Sequence, residues 1–241
     1  MGNPEDLGTS GTTRGPAENA GTDRERLTEY CHLDRMLSSH RAPAEAAMTV
    51  HLAVYDTLAD WEYGHAVAHI PGGVRTVGPT GATVTTKGGL RIEPDLTLDG
   101  LRPLDSSMLI LPGADTWTSG ALTAFAYTAR EFLHEGVPVA AICGAVYGLA
   151  DEGLLDERAH TAAAPEFLRA ANGYRGAAHY RDADAVIDQD LITAGPTEPV
   201  AFAREILNRL GVFEPPVLDA FQRLYQHSDP EAYAVFAAAR A

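Results

Sequence analysis

The sequence predicts an α/β fold built on a central, mostly parallel β-sheet with helices packed against it. Two observations lead to this fold class. From Thr49 onward, short apolar runs that are typical of strands alternate with stretches of helical periodicity. In addition, the runs SMLILPG (107–113) and VPVAAIC (137–143) are apolar almost throughout, as is typical of parallel strands that are buried on both faces.

The first elements follow from local patterns. The run TVHLAVY predicts a strand over 49–55, and Asp60 is the expected N-cap of a helix over 60–70. VRTVG predicts a second strand over 74–78, and the glycine-punctuated stretch 83–92 predicts a hairpin.

The second half of the chain continues the alternation. An apolar stripe at helical spacing predicts a long helix over 121–134, which ends at Gly136-Val137-Pro138. The strand 137–143 leads directly into a helix over 145–153. The remaining predicted elements are two short strands over 184–187 and 191–194, a helix over 198–210, and two helices within 214–238 separated by Ser228-Asp229-Pro230.

Residues 1–47 differ in composition from the rest of the chain. Gly, Thr, Glu, Asp, Arg and Pro dominate there, and aliphatic residues are scarce. Such a segment cannot bury enough apolar area to offset the entropy lost on ordering, so we expect a disordered tail with a short helix near 23–37. Met48 directly precedes the first strand and is an alternative start for a shorter product. The predicted domain covers residues 48–241.

The overall charge argues against two classes of partner. The chain has 18 basic and 33 acidic side chains, for a formal charge of −15, and Lys87 is its one lysine. Without a Lys/Arg cluster, the surface repels phosphate backbones and anionic lipids. No apolar stretch reaches about 18 residues, and the N-terminus lacks the order of a secretory signal. We therefore expect no nucleic-acid or membrane partner and a cytoplasmic location.

No sequence motif indicates a cofactor or a metal. Cys31 and Cys143 are too few for a disulfide framework or a four-ligand zinc site. The glycine pairs at 72–73 and 88–89 lack the context of a phosphate-binding loop. His65 and His69 lie one helical turn apart without a third ligand, which favours a half-exposed helix face over a metal site.

Cys143 lies where a predicted strand turns into a helix. Ligand sites in open α/β sheets lie at the carboxyl ends of the strands. The small residues Gly144 and Ala145 allow a sharp turn of the nucleophile-elbow type, and the helix N-terminus is expected to lower the pKa of the thiol. The alternative is a buried cysteine that acts only as a small apolar residue. Spacing alone leaves both interpretations open.

Glu62 and the loop after strand 107–113 are expected at the same sheet edge as Cys143. Glu62 falls in the first turn of the first helix, where a carboxylate could also merely complement the helix dipole. The backbone N–H groups of Gly113 and Gly144 are candidates for an oxyanion hole. Asp115 and Trp117 are candidate substrate contacts, although a loop Asp and an aromatic after a strand can equally be solvated and packed.

Five segments together resemble a known family. They are YDTLADWE (55–62), GGLRIEPD (88–95), LILPGADTW (109–117), AAICGAVYGLADEGLLDERAHT (140–161) and LITAGPTEPVAFAREIL (191–207). In order and spacing they are similar to the PfpI/ThiJ-type family, which includes the parkinsonism-associated deglycase and belongs to the class I glutamine amidotransferase-like superfamily.

The resemblance implies a flavodoxin-like three-layer α/β/α sandwich with a central, mostly parallel sheet and a C-terminal helical extension. It also implies a nucleophilic Cys143, a hydrogen-bonded and often protonated Glu62, an oxyanion hole at Gly113 and Gly144, and a homodimer.

The histidine of the family patterns has no clear counterpart in this chain. Protease-like members carry a histidine directly after the nucleophile, where this chain has Gly144. Deglycase-like members carry one in a downstream segment, which corresponds to residues 160–165 here and places the expected histidine near Ala163. His160 is the nearest candidate base and His179 a weaker one, and a purely structural role for His160 is an equal alternative.

The sequence therefore predicts a cysteine-dependent lyase or hydrolase that needs no cofactor. The favoured function is attack of Cys143, assisted by Glu62, on a small carbonyl or other electrophile in a glyoxalase- or deglycase-like, stress-related reaction. One alternative is a cysteine hydrolase of the protease, amidase or isocyanide hydratase kind, which requires a histidine near Cys143. The other is a non-enzymatic redox-responsive or chaperone-like stress protein.

Overall fold

The computed structural model describes residues 49–239, so the helix predicted near 23–37, Cys31 and Met48 lie outside the described residues. Strands and helices alternate along most of this range. The strands are β1 (Val50–Ala53), β2 (Val74–Gly78), β3 (Val84–Thr85), β4 (Arg91–Ile92), β5 (Leu96–Thr97), β6 (Met108–Leu111), β7 (Val139–Ile142), β8 (Ala185–Asp188) and β9 (Leu191–Ala194). The helices are α1 (Asp60–Val67), α2 (Thr123–His134), α3 (Gly144–Asp151), α4 (Pro165–Arg169), α5 (Pro199–Arg209), α6 (Pro215–His227) and α7 (Glu231–Ala238).

Seven strands form the central sheet, in the order β5-β2-β1-β6-β7-β9-β8. All neighbouring pairs are parallel except β8 and β9, which are antiparallel. Every residue of β1, β6, β7 and β9 is buried, because helices cover these central strands. The predicted mostly parallel α/β fold is confirmed.

The helices pack in pairs. α1 packs against α5, and α2 packs against α3. The two C-terminal helices extend the first of these groups, since α6 packs on α5 and α7 packs on α6. Within residues 49–239, no helix is long and apolar enough to cross a membrane.

One local prediction is confirmed, and others need correction. The hairpin predicted over 83–92 is present as β3 and β4, which form a separate antiparallel pair. β5 and α4 were not predicted, because each is too short to show a periodic pattern. Asp60 is not an N-cap: α1 begins after Ala59 without a side-chain cap, and Asp60 Oδ2 instead accepts the Gly88 N–H at 2.6 Å.

The order of the strands brings three loops together. β1, β6 and β7 are consecutive neighbours in the sheet and run parallel. Their carboxyl ends therefore lie at one edge, where ligand sites in such sheets occur. The segments that follow these ends carry Glu62, Gly113 and Cys143.

Candidate active site

Cys143 occupies a sharp turn between β7 and α3. Its backbone has φ 58° and ψ −123°, a conformation that side chains with a Cβ rarely adopt. The turn is held by the Cys143 N–H, which donates to Ala194 O at 3.1 Å, and by the Val146 N–H, which donates to Cys143 O at 3.1 Å. The residue is partly exposed. The predicted sharp strand-to-helix turn is present, and it places Cys143 at the edge of the sheet.

Glu62 lies beside this thiol. Its side chain is buried, with 1% of the residue exposed, and Oε2 accepts the Gly113 N–H at 2.5 Å. A hydrogen bond between the Glu62 carboxyl and the Cys143 thiol affects the pKa of both groups. The predicted proximity of the two side chains is confirmed. The other oxygen of the carboxyl, Oε1, is buried without a geometrically well-aligned partner.

Burial sets the protonation of the pair. It raises the pKa of Glu62 from 4.5 to about 7, against the smaller lowering by the Gly113 N–H, the thiol and the charge of Lys87. The pKa of Cys143 is raised from 9.0 to about 12, mainly by burial and in addition by the negative charge of Glu62 and the hydrogen bond to it. The Gly144 N–H and Lys87 lower the thiol pKa by less. The prediction of a lowered thiol pKa is therefore wrong, because the position at a helix N-terminus does not outweigh burial and a neighbouring carboxylate.

These pKa directions define what the pair can do chemically. Near neutral pH the pair passes from two protons to one, since the first proton leaves at about 7. The proton that remains is held between a thiol and a carboxylate. A carboxylate with this pKa is well matched to accept the thiol proton during nucleophilic attack, because a general base is most effective when its pKa lies near the working pH.

The two candidate oxyanion donors already have acceptors. The Gly113 N–H donates to Glu62, and the Gly144 N–H donates to the Cys143 sulfur. A Cβ at Gly113 would lie 2.8 Å from Glu62 Oε2 and 3.0 Å from Cys143 Sγ, so only glycine fits there. An oxyanion role for Gly113 therefore requires Glu62 to release its N–H.

Trp117 is buried beside α3, so the structure gives no support to its predicted role as a substrate contact. Only 2% of the residue is exposed, and the indole fills the space above two glycines of α3. A Cβ at Gly148 would lie 2.3 Å from Trp117 Cε3, and one at Gly144 would lie 3.2 Å from Trp117 Cδ1. The indole Nε1 donates to Pro112 O at 3.0 Å, so Trp117 helps to fix the peptide that carries the Gly113 N–H.

Asp115 lies on the surface beside the site, as predicted, but it is paired. Its Oδ1 accepts a hydrogen bond from Lys87 Nζ at 2.6 Å. Lys87 was not among the predicted site residues, although it is the single lysine of the chain and lies in the predicted hairpin. Its position near the site depends on contacts of the hairpin with the loop after β1, which no local pattern reveals.

The structure does not support His160 as a base. The side chain is fully buried, Nδ1 donates to Arg158 O at 2.7 Å, and Nε2 accepts from the Tyr174 hydroxyl at 2.8 Å. Both ring nitrogens are therefore occupied, and burial lowers the pKa of the imidazole. His179 contributes its backbone oxygen to the His160 N–H, and neither imidazole is among the groups that shift the Cys143 pKa. These contacts support the structural interpretation of His160.

Ala163, near which a histidine was expected from the resemblance, faces an acidic cavity. Ala163 lines a cavity of about 370 Å³ together with Asp182, Asp184 and Glu198.

No group of three or more His, Cys, Asp or Glu side chains within residues 49–239 is arranged to hold a metal ion. His65 and His69, the pair considered as metal ligands, both pack against Phe221 and Tyr225 of α6.

Comparison with known proteins finds relatives of this chain. The chain is 36% identical over 196 residues to the uncharacterized protease YoaZ of Bacillus subtilis, covering 76% of this chain and 93% of that protein. It is 31% identical over 129 residues to protein/nucleic acid deglycase 2 of Escherichia coli, covering 52% of this chain and 73% of that protein.

A similar fold is also found among solved structures. A thiJ/pfpI family protein from Bacillus anthracis superposes with a TM-score of 0.73 at 36% identity, covering 77% of this chain and 93% of that one. The family model described as DJ-1/PfpI matches residues 48–209. The chain therefore belongs to the DJ-1/PfpI family.

Proposed function

We propose that Cys143 is a nucleophile that adds to a small carbonyl compound, with Glu62 as its proton acceptor. One observation carries this proposal: a buried carboxyl with a pKa of about 7 hydrogen-bonds to a partly exposed thiol on a strand-to-helix elbow. A structural cysteine requires neither the rare backbone conformation nor a buried carboxyl at its side.

The chemistry needs only these two side chains. The Glu62 carboxylate takes the proton of the thiol while the sulfur forms a bond to the carbonyl carbon. The electron pair of the C=O bond moves to oxygen, which then receives the same proton from Glu62. The product of this first step is a hemithioacetal. Turnover then requires the proton on the former aldehyde carbon to be transferred to the neighbouring carbonyl carbon, which gives a thioester that water hydrolyses to a hydroxy acid and the free Cys143 thiol. No oxidant is consumed. This matches a glyoxalase- or deglycase-like reaction, in line with the deglycase named among the relatives.

A cysteine hydrolase is less well supported. Amide hydrolysis depends on an acid that protonates the leaving nitrogen, and a histidine usually provides that proton. In this chain the two ring nitrogens of His160 are bonded to Arg158 O and Tyr174. Similarity to an uncharacterized protease is therefore not matched by a histidine at the thiol.

A redox-responsive role, in which Cys143 is oxidised, is the second candidate function. The observation that favours it is the buried Oε1 of Glu62, which has no well-aligned hydrogen-bond partner and could carry a proton. A protonated carboxyl next to the sulfur can donate to the oxygens of a sulfinate and so stabilise the oxidised form. A partly exposed thiol allows a peroxide to reach the sulfur.

Consumption of methylglyoxal by the purified full-length protein tests the proposal. We expect turnover in the wild type and in Glu93→Gln, which changes an exposed glutamate, and loss of turnover in Cys143→Ser and Glu62→Gln. Turnover that survives Cys143→Ser would contradict the proposal. Absence of turnover together with conversion of Cys143 to sulfinate under mild peroxide, followed by mass spectrometry, would favour the redox function instead.

The wider organisation of the protein also belongs to this proposal. We expect residues 48–241 to contain all of the activity, the protein to act as a homodimer, and its location to be cytoplasmic. The family resemblance supports the dimer, and the family match over 48–209 supports the position of the active unit. Removal of residues 1–47 is expected to leave the methylglyoxal assay unchanged.

A further inference from the structure

Lys87 is held beside the active site by backbone contacts. It lies on the loop between β3 and β4, and its N–H donates to Leu58 O at 2.8 Å. The next residue, Gly88, donates its N–H to Asp60 at 2.6 Å. Both acceptors belong to the segment that leads into Glu62. The hairpin therefore places the single lysine of the chain at the sheet edge that carries Cys143.

The ammonium group of Lys87 points to the same edge. Its Nζ lies 2.6 Å from Asp115 Oδ1, and Asp115 follows Gly113 by two residues. Asp115 is held in turn by its N–H, which donates to Thr57 Oγ1 at 3.0 Å. The positive charge favours the ionised form of Glu62 and of Cys143, so its field reaches both reacting groups.

The carboxylate of a ligand can replace that of Asp115 in the ion pair with Lys87. The Lys87 side chain is 47% exposed and that of Asp115 is 62% exposed. Ion pairs with this exposure contribute little to stability, so replacing Asp115 by the carboxylate of a ligand costs little. The chain as a whole carries a formal charge of −15, which opposes the approach of an anion. Once Asp115 is displaced, the ammonium group of Lys87, whose charge acts on the Cys143 thiol, favours an anion at this point of the surface.

We propose that Lys87 determines substrate specificity by binding the carboxylate of an anionic electrophile, such as an aldehyde or oxo acid whose reactive carbon lies next to a carboxylate. This inference rests on the proposed function and names its substrate class. The carboxylate displaces Asp115 from Lys87, and the neighbouring carbonyl carbon meets the Cys143 sulfur. Glu62 then moves the thiol proton to the carbonyl oxygen, as for a neutral aldehyde.

Alkylation of Cys143 by two matched reagents tests this inference without relying on turnover. Iodoacetate and iodoacetamide have the same leaving group and nearly the same size, but only iodoacetate carries a carboxylate. In each case the sulfur displaces iodide and forms one C–S bond. The ratio of the two rate constants cancels any change in the protonation of the thiol, because both reagents meet the same sulfur. The measurement uses the full-length chain with Cys31→Ser and counts modified Cys143 by mass spectrometry.

Substitution of Lys87 and substitution of Asp115 are expected to change the ratio of the two alkylation rates in opposite directions. Lys87→Gln lowers the ratio of iodoacetate to iodoacetamide rates by about fivefold, and Asp115→Asn raises it by about twofold to fivefold. Arg169→Gln is the matched control, since it removes one positive charge from another exposed ion pair, Arg169–Glu166, and leaves the ratio unchanged. The wild-type ratio also falls as salt is added.

Each outcome decides the matter. The inference is overturned if Lys87→Gln leaves the ratio of the two rates unchanged. It is also overturned if Lys87→Gln and Asp115→Asn shift the ratio in the same direction, because loss of either partner has the same effect when the ion pair is only structural. Failure of both reagents to modify wild-type Cys143 at pH 9 contradicts the proposed nucleophile as well. Modification by both reagents with an unchanged ratio leaves the nucleophile in place and removes only the role of Lys87.

Discussion

The Gly113 N–H donates to Glu62 Oε2 at 2.5 Å, so the loop after β6 fixes the carboxyl that sits beside the Cys143 thiol. This contact favours the ionised carboxylate, whereas burial opposes it more strongly. The result is a carboxyl that changes charge near neutral pH, next to a thiol that retains its proton. Two predictions follow from this balance, one for reactivity and one for stability.

The pH dependence of Cys143 alkylation should show the ionisation of Glu62. We expect the rate of reaction with iodoacetamide to rise as the pH passes about 7, where the Glu62 carboxyl loses its proton and becomes a base for the thiol. In Glu62→Gln this step disappears. The thiol then titrates in a single step, still raised by burial but below about 12, because the neighbouring negative charge is gone. A step near pH 7 that persists in Glu62→Gln would contradict the assignment.

Glu62→Gln should also stabilise the protein at alkaline pH. The folded-state pKa of Glu62 is raised, so its favourable protonated state is fully present below the unfolded value of 4.5 and is lost as the pH rises through about 7. A rise of this size corresponds to about 3 kcal/mol. We expect the variant to be about 1 to 3 kcal/mol more stable than wild type at pH 8 and nearly equal to it at pH 4.5, by urea unfolding. Equal stability at both pH values, as expected for the exposed Glu93→Gln, would show that burial of the carboxylate carries no penalty.

A glycine-to-alanine substitution should have opposite effects in two helices. Alanine in a helix interior is normally favoured over glycine by about 1 kcal/mol, and Gly64 in α1 has open space around an added Cβ. We therefore expect Gly64→Ala to stabilise the protein. Gly148→Ala should destabilise it by about 1 to 3 kcal/mol, because the Cβ would lie 2.3 Å from Trp117 Cε3. Thermal unfolding of the two variants checks both signs, and stabilisation by Gly148→Ala would mean that the indole can move aside.

Tyr174→Phe should separate a structural role of His160 from a catalytic one. The substitution leaves the buried His160 Nε2 without its hydrogen-bond donor, which costs about 1 to 3 kcal/mol. We expect a lower unfolding free energy but an unchanged rate of Cys143 alkylation and an unchanged pH profile. His160→Ala should lower stability further without affecting the alkylation rate of the folded protein. A shifted pH profile in Tyr174→Phe would restore His160 as a candidate base.

The features that the sequence predicted depend on periodicity and on the direction of strands. The apolar runs 107–113 and 137–143 predict buried strands, and the parallel direction of the strands predicts that Glu62, Gly113 and Cys143 lie at one edge. These predictions concern which residues share an edge of the sheet. They therefore stay correct even when the predicted ends of a strand are wrong by a few residues.

The features that were missed depend on packing between distant segments. The space that holds Trp117 is created by the absence of side chains at Gly144 and Gly148, and a missing side chain leaves no pattern in the sequence. Lys87 reaches the site through hydrogen bonds of its hairpin to Leu58 and Asp60. The sign of the pKa change at Cys143 depends on burial, which only the folded structure supplies.

The packing of Trp117 against Gly144 and Gly148 also couples substitutions at positions 117 and 144 in evolution. A histidine at position 144 requires the indole of Trp117 to shift, since even a Cβ would lie 3.2 Å from Trp117 Cδ1. Replacing Trp117 first leaves a cavity and releases the Pro112 carbonyl, which its indole N–H binds. Either single step produces a weakened intermediate, so the two positions are epistatic. Selection at the nucleophile alone cannot readily convert this site into one with an adjacent histidine.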